Sequence, residues 1–174
     1  QDGIRDSVAS RGLGDVYKRQ LVIIDSSPEL KVALRYGGLR AKSTRCGLIL
    51  LSIVDEGVPQ QWKTVENTMQ DEAKKESKKI LEEHSSFVKE VSGVTPETKI
   101  LTGNSEEAIL KLLKNDKSIR MVVLAASEEK NNPGPLINLL VNNTKLPIPA
   151  VIVPGHLNEA EIEEIAYSQI HKMK

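Results

Sequence analysis

The sequence predicts an α/β fold in a single domain built around a parallel sheet. Three observations carry this. Short apolar, β-branched runs alternate with amphipathic stretches from Leu21 onward, the mark of repeated βα units. The run "CGLILLSIV" is continuously apolar rather than alternating, as a central strand covered on both faces requires. A length of 174 residues is about one domain's worth of chain.

The elements follow in order. "LVIID", Leu21 to Asp25, reads as the first strand. In "SSPEL" after it, Ser27 suits a helix cap, Pro28 the first turn, and Glu29 the positive end of the dipole. That helix should run to about Ala41. Cys46 to Val54 is the second strand. The longest helix is expected from about Gln61 to Val91, with Val65, Met69, Ala73, Ile80, His84, Phe87 and Val91 at helical spacing. Its run "DEAKKESKK" reads as a solvated surface with (i, i+4) pairs such as Asp71 and Lys75. Thr98 to Leu101 is a short third strand. A turn at Gly103 and a cap at Asn104 or Ser105 then open a helix to about Asn115. "RMVVLAA" is the fourth strand, and a helical pattern restarts at Leu136. "PAVIVP" is the fifth strand, whose flanking Pro149 and Pro154 suit an edge. Asn158 and Glu161 form a capping-box pair for a last helix that should bury Ile162, Ile165, Ala166 and Ile170.

Residues 1–20 stand apart. They lack an initiating Met and an apolar period, and the chain changes character at Leu21. "GLGDVYK" within them is not a phosphate loop, because such a loop follows a strand and opens a helix. The segment resembles the translated adapter peptide that heads reading frames assembled from environmental DNA. We expect a non-native or disordered leader.

Composition narrows the function. Lys plus Arg and Asp plus Glu both number 24, so no field points to nucleic acid or an anionic membrane. Aromatics are 3 %, too few for base-stacking platforms. Cys46 is the only cysteine, which excludes an intramolecular disulfide and fits a reducing compartment. The stretch "LILL" is far too short to span a bilayer. A cytoplasmic setting is expected.

Enzyme chemistry is not evident. His84, His156 and His171 have no metal-site spacing, no G-x-S-x-G elbow occurs, and Cys46 opens a buried strand where a thiol is inert packing. No catalytic residue or metal ligand is assigned.

The segments "LVIIDSSPELKVAL", "LILLSIVDEG", "ILTGNSEEAILKLL" and "IRMVVLAAS…IPAVIVPG" together resemble the universal stress protein family, over nearly all of residues 21–156. The resemblance implies a Rossmann-like, open five-stranded parallel sheet in the order 3-2-1-4-5 with helices on both faces. It also implies a homodimer and, in many members, ATP at the carboxyl ends of the strands. The general rule for open α/β sheets puts a ligand at the same switch point, between strands 1 and 4. Residues 157–174 form a C-terminal helical extension beyond the family's usual final strand.

Carried over residue by residue, the adenosine half of the family's site falls on Asp25, Ser26 and Ser27, with backbone groups of Ile53 or Val54 toward the adenine. The phosphate half departs from the pattern G-x2-G-x9-G-(S/T). Ala125 stands at the usual first glycine, Glu128 and Glu129 occupy the turn, and Gly134 is followed by Pro135. Glycines let backbone N–H groups wrap phosphate oxygens, each such bond worth roughly 1.5–3 kcal/mol. Losing two costs roughly 3–6 kcal/mol, against about 8 kcal/mol for a whole micromolar complex.

Two readings follow. In one, a stress-type dimer without the usual ATP acts through protein interaction, with clients the sequence does not name and no cofactor. In the other, ATP or AMP binds and the protein is a nucleotide switch or weak ATPase. In both, the edge strand Ala150 to Val153 is the expected dimer contact, unless the last helix folds back over it.

Overall fold

A computed structural model of the chain describes residues 17–55, 63–142 and 146–168, and the side chains of these apart from 63–68. Among them, five strands and five helices alternate: β1 (Arg19–Ile23), α1 (Leu30–Thr44), β2 (Gly47–Val54), α2 (Lys63–Ser92), β3 (Glu97–Thr102), α3 (Ser105–Asn115), β4 (Ile119–Ala126), α4 (Pro135–Val141), β5 (Ala150–Pro154) and α5 (Glu159–Tyr167). The leader expectation for residues 1–16 lies outside the described residues. So do Ile170 and the side chain of Val65.

The sheet has the order β3-β2-β1-β4-β5, and every neighbouring pair is parallel. This is the doubly wound arrangement expected from the sequence. Side-chain alternation divides the core into two layers. Val22, Leu48, Leu50 and Val123 face α1, α2 and α5. Leu21, Ile23, Ile49, Leu51 and Leu124 face α3 and α4. Helix α1 comes close to its neighbours because Gly37 and Gly38 carry no Cβ: one at Gly37 would lie 2.9 Å from Val22 Cγ2, and one at Gly38 3.1 Å from Val88 Cγ1.

Several expectations need correction. β1 begins at Arg19, so Arg19 and Gln20, set aside with the leader, pair with Gly47 and Leu48. The buried seam of α2 is Leu81 and Val88, while Met69 is 56 % exposed. The expected Asp71–Lys75 pair is not among the ion pairs of the described residues. In α5 the capping box forms, with Asn158 Oδ1 accepting from Glu161 N at 3.0 Å and Glu161 Oε2 accepting from Asn158 N at 2.9 Å. Ile162 and Ala166 are buried, but Ile165 turns outward, 37 % exposed.

Helix α5 packs on α1 rather than over β5. Arg35 Nη2 meets Glu159 Oε1 at 2.7 Å, and Ser43 Oγ donates to the Ala166 carbonyl at 3.2 Å. β5 is therefore left as an edge strand with Ile152 45 % exposed.

Candidate functional site

β1 and β4 are adjacent, and their connections leave toward opposite faces, which opens a crevice at their carboxyl ends. A cavity of about 170 Å³ lies there, floored by apolar residues including Ile23, Leu30 and Leu124, with Asp25, Ser27, Glu29, Ser127, Glu129, Asn132 and Gly134 at its rim. It is smaller than the roughly 300–1,000 Å³ of typical small-molecule pockets. A groove of about 260 Å³ between β3 and α3, lined by Leu101, Ala108, Lys111 and Leu112, lies at the sheet edge, away from the switch point.

The first rim is the turn between β1 and α1. Ser27 donates both its N–H and its hydroxyl to Asp25 Oδ1, at 3.0 and 2.6 Å. This local bond competes with helix capping. Ser27 is therefore not the expected side-chain cap: α1 starts at Leu30, with Glu29 at the N-cap position and no side-chain cap bond there. Gly155, after β5, closes on this turn; a Cβ on it would lie 2.2 Å from the Ala126 carbonyl oxygen and 2.6 Å from Glu29 Cγ.

The second rim is the loop from Ser127 to Gly134, where a phosphate cradle would need free N–H groups. Here five of them, on Ser127, Glu128, Glu129, Asn132 and Gly134, have acceptors within the protein. Ser127 N donates to the Pro133 carbonyl at 3.0 Å, and Asn132 N to the Glu129 carbonyl at 3.3 Å. Glu129 N donates to Ser127 Oγ at 3.2 Å, and Gly134 N to Asn132 Oδ1 at 3.4 Å. Glu128 N donates across the crevice to Glu29 Oε1 at 3.2 Å. Glu129 Oε2 accepts from Asn132 Nδ2 at 2.9 Å.

Of the residues named from the sequence, Asp25, Ser27 and Gly134 thus line one cavity. Ser26 is exposed and outside its lining. Ile53 and Val54 also lie outside it, and the Val54 carbonyl accepts from Gly103 N at 2.9 Å. Glu29, Ser127 and Asn132 line the cavity without having been singled out. A Ser and an Asn flanking a turn were the signal for the last two. Glu29 gave no such signal, since its bond spans 99 positions of chain.

Electrostatically, three carboxylates (Asp25, Glu29 and Glu129) line the cavity, and none of the lining residues is Lys or Arg. Among the described residues, no three carboxylate, His or Cys side chains are grouped as metal ligands. The arrangement repels anions.

A model of the "Universal stress protein family" matches residues 16–142. Solved structures share the fold: the universal stress protein UspA of Lactobacillus plantarum is 21 % identical, with 79 % of this chain and 97 % of that chain covered at a TM-score of 0.66. A universal stress protein in complex with cAMP is 17 % identical, with 80 % and 98 % covered at 0.57. A family protein from Arabidopsis thaliana with AMP bound is 16 % identical, with 79 % and 91 % covered at 0.55. No protein of curated function matches the chain.

Proposed function

The chain belongs to the universal stress protein family, and on that premise we propose that it is a dimeric protein-interaction module of the stress response whose crevice does not take ATP. One observation carries this reading: the N–H groups of Ser127, Glu128, Glu129, Asn132 and Gly134 already have acceptors inside the protein. A triphosphate would have to break these bonds and sit beside Asp25, Glu29 and Glu129. Charge-assisted bonds of roughly 1.5–3 kcal/mol each are therefore missing from its side of the balance, and like-charge repulsion adds to the deficit. The open edge of β5, with Ala150 and Ile152 exposed, supports pairing with a second copy, since an uncovered edge strand is a template for another. Calorimetric titration with ATP and Mg²⁺ tests the reading, and saturable submicromolar binding overturns it.

A second reading rests on Asp25 at the cavity and on the structural relatives described with AMP and cAMP. Here the crevice holds an adenine nucleotide mainly through its adenosine half, and the protein is a nucleotide-dependent switch. Asp25→Ala should then weaken AMP binding. Unchanged binding removes that support.

A further inference from the structure

We infer that Glu29 sets what the crevice excludes: its carboxylate is a built-in anion, seated on a backbone N–H of the β4–α4 loop that a phosphoryl oxygen would otherwise take, so the site discriminates against the phosphorylated forms of a nucleoside. This rests on the reading that the crevice does not take ATP and supplies the residue responsible.

Three observations meet at Glu29. Its Oε1 accepts from Glu128 N at 3.2 Å, bridging the β1–α1 turn and the β4–α4 loop. Its stem is held from behind by the turn after β5, where even a single Cβ on Gly155 would come within 2.6 Å of Glu29 Cγ and 3.3 Å of its Cβ. It lines the cavity beside Asp25 and Glu129. The three carboxylates differ in what they hold. Asp25 accepts from its own turn at Ser27, and Glu129 from Asn132 within the loop. Glu29 alone of them takes a backbone N–H from the opposite wall. A carboxylate on a backbone N–H makes the same charge-assisted bond that a phosphate oxygen would make. An entering phosphoryl group would compete with a tethered anion that needs no association entropy.

The test follows the Glu128 amide by NMR in the full chain during titrations with inorganic phosphate, AMP and adenosine. In the parent, phosphate should leave that amide unmoved, and adenosine should bind more tightly than AMP. Glu29→Ala vacates the N–H and removes the charge, so the Glu128 amide should move with phosphate and the AMP-to-adenosine affinity ratio should rise roughly 10- to 100-fold, the equivalent of one charge-assisted bond. Glu29→Gln removes the charge but keeps an acceptor, so a smaller rise is expected; it is also the deciding variant if Glu29→Ala does not fold. Glu129→Gln is the control for charge alone and should give little. Equal responses in parent and Glu29 variants, no response in either, or as large a rise in Glu129→Gln each overturn the inference. Tight ATP binding by the parent overturns the proposed function and this inference together, whereas weak ATP binding with equal AMP-to-adenosine ratios in parent and Glu29 variants overturns the inference alone.

Discussion

Arg19 and Asp116, 97 positions apart in the chain, meet at 2.6 Å between Nη2 and Oδ2 at the amino-terminal end of the sheet. The same guanidinium donates through Nε to Ser118 Oγ at 2.8 Å and pairs through Nη1 with Glu97 at the start of β3. One side chain therefore ties the start of β1 to the approach to β4 and to β3. With Arg19 only 17 % exposed, Arg19→Met should keep the apolar stem and lose the charged bonds, lowering stability by about 1.5–3 kcal/mol. The urea midpoint is the measurement, and an unchanged midpoint refutes the tie.

The Asp116 carboxyl carries a pH signature of this cluster. Burial pushes its pKa up, but hydrogen bonds from the Ser118 hydroxyl and N–H, together with the Arg19 guanidinium, outweigh burial and hold it below its ordinary value. A carboxyl depressed in the folded state stabilises above its unfolded pKa of about 4 and loses that contribution as pH falls through the folded pKa. Stability should thus decline below about pH 4, and less steeply in Asp116→Asn. Equal slopes would detach the carboxyl from acid stability.

His84 on α2 should report at milder pH. Burial lowers its pKa; Glu83 opposes this, and Lys31 on α1 adds to it. The folded protein then prefers neutral imidazole while the unfolded chain binds the extra proton. Stability is full above the unfolded pKa of about 6.5 and falls as pH drops below it toward the folded value. Urea midpoints at pH 7.5 and 5.5 should therefore differ, and the difference should shrink in His84→Gln. A parent more stable at the lower pH has the wrong sign for this account.

The fold was legible wherever local signals agree with tertiary structure. The Asn104 cap, which accepts from Glu107 N at 3.2 Å, and the Asn158–Glu161 box are set by residues three apart. The runs of β2 and β4 need only their own burial. What failed depends on partners elsewhere in the chain. Arg19 reads as part of a polar leader until Glu97, Asp116 and Ser118 surround it. Met69 and Ile165 share a helical period with buried residues yet are themselves exposed. At the cavity, Asp25, Ser27 and Gly134 are named as site residues only through the family resemblance. Glu29 looked like an ordinary first-turn acid, because nothing near it in sequence says that the Glu128 N–H reaches it.

Gly155 should be intolerant of the smallest side chain. A Cβ there would lie 2.2 Å from a backbone oxygen, that of Ala126, and 2.6 Å from Glu29 Cγ; backbone yields less readily than a side-chain tip. Gly155→Ala should cost about 1–3 kcal/mol, as overpacking does, and at roughly 2–4 °C per kcal/mol for a chain of this size the loss should show in the melting temperature. Because the Glu29 stem must also move, the Glu128 amide resonance should shift. A parent-like melting curve with an unmoved amide would mean that the turn after β5 does not hold Glu29 in place.

The edge of β5 separates the dimer proposal from a monomer. Ile152 is 45 % exposed and Ala150 is also exposed, while α5 lies on α1 and leaves this edge open. Lys on an edge strand blocks pairing with another chain, since its ammonium would lose water on contact. Ile152→Lys should therefore leave the isolated fold within about 0.5 kcal/mol of the parent, as surface changes do, but convert a dimer to a monomer in light scattering at micromolar protein. A parent of monomeric mass removes the dimer altogether. A variant that stays dimeric moves the contact away from β5, because a buried lysine at a two-fold interface would face its own copy or sit unpaired.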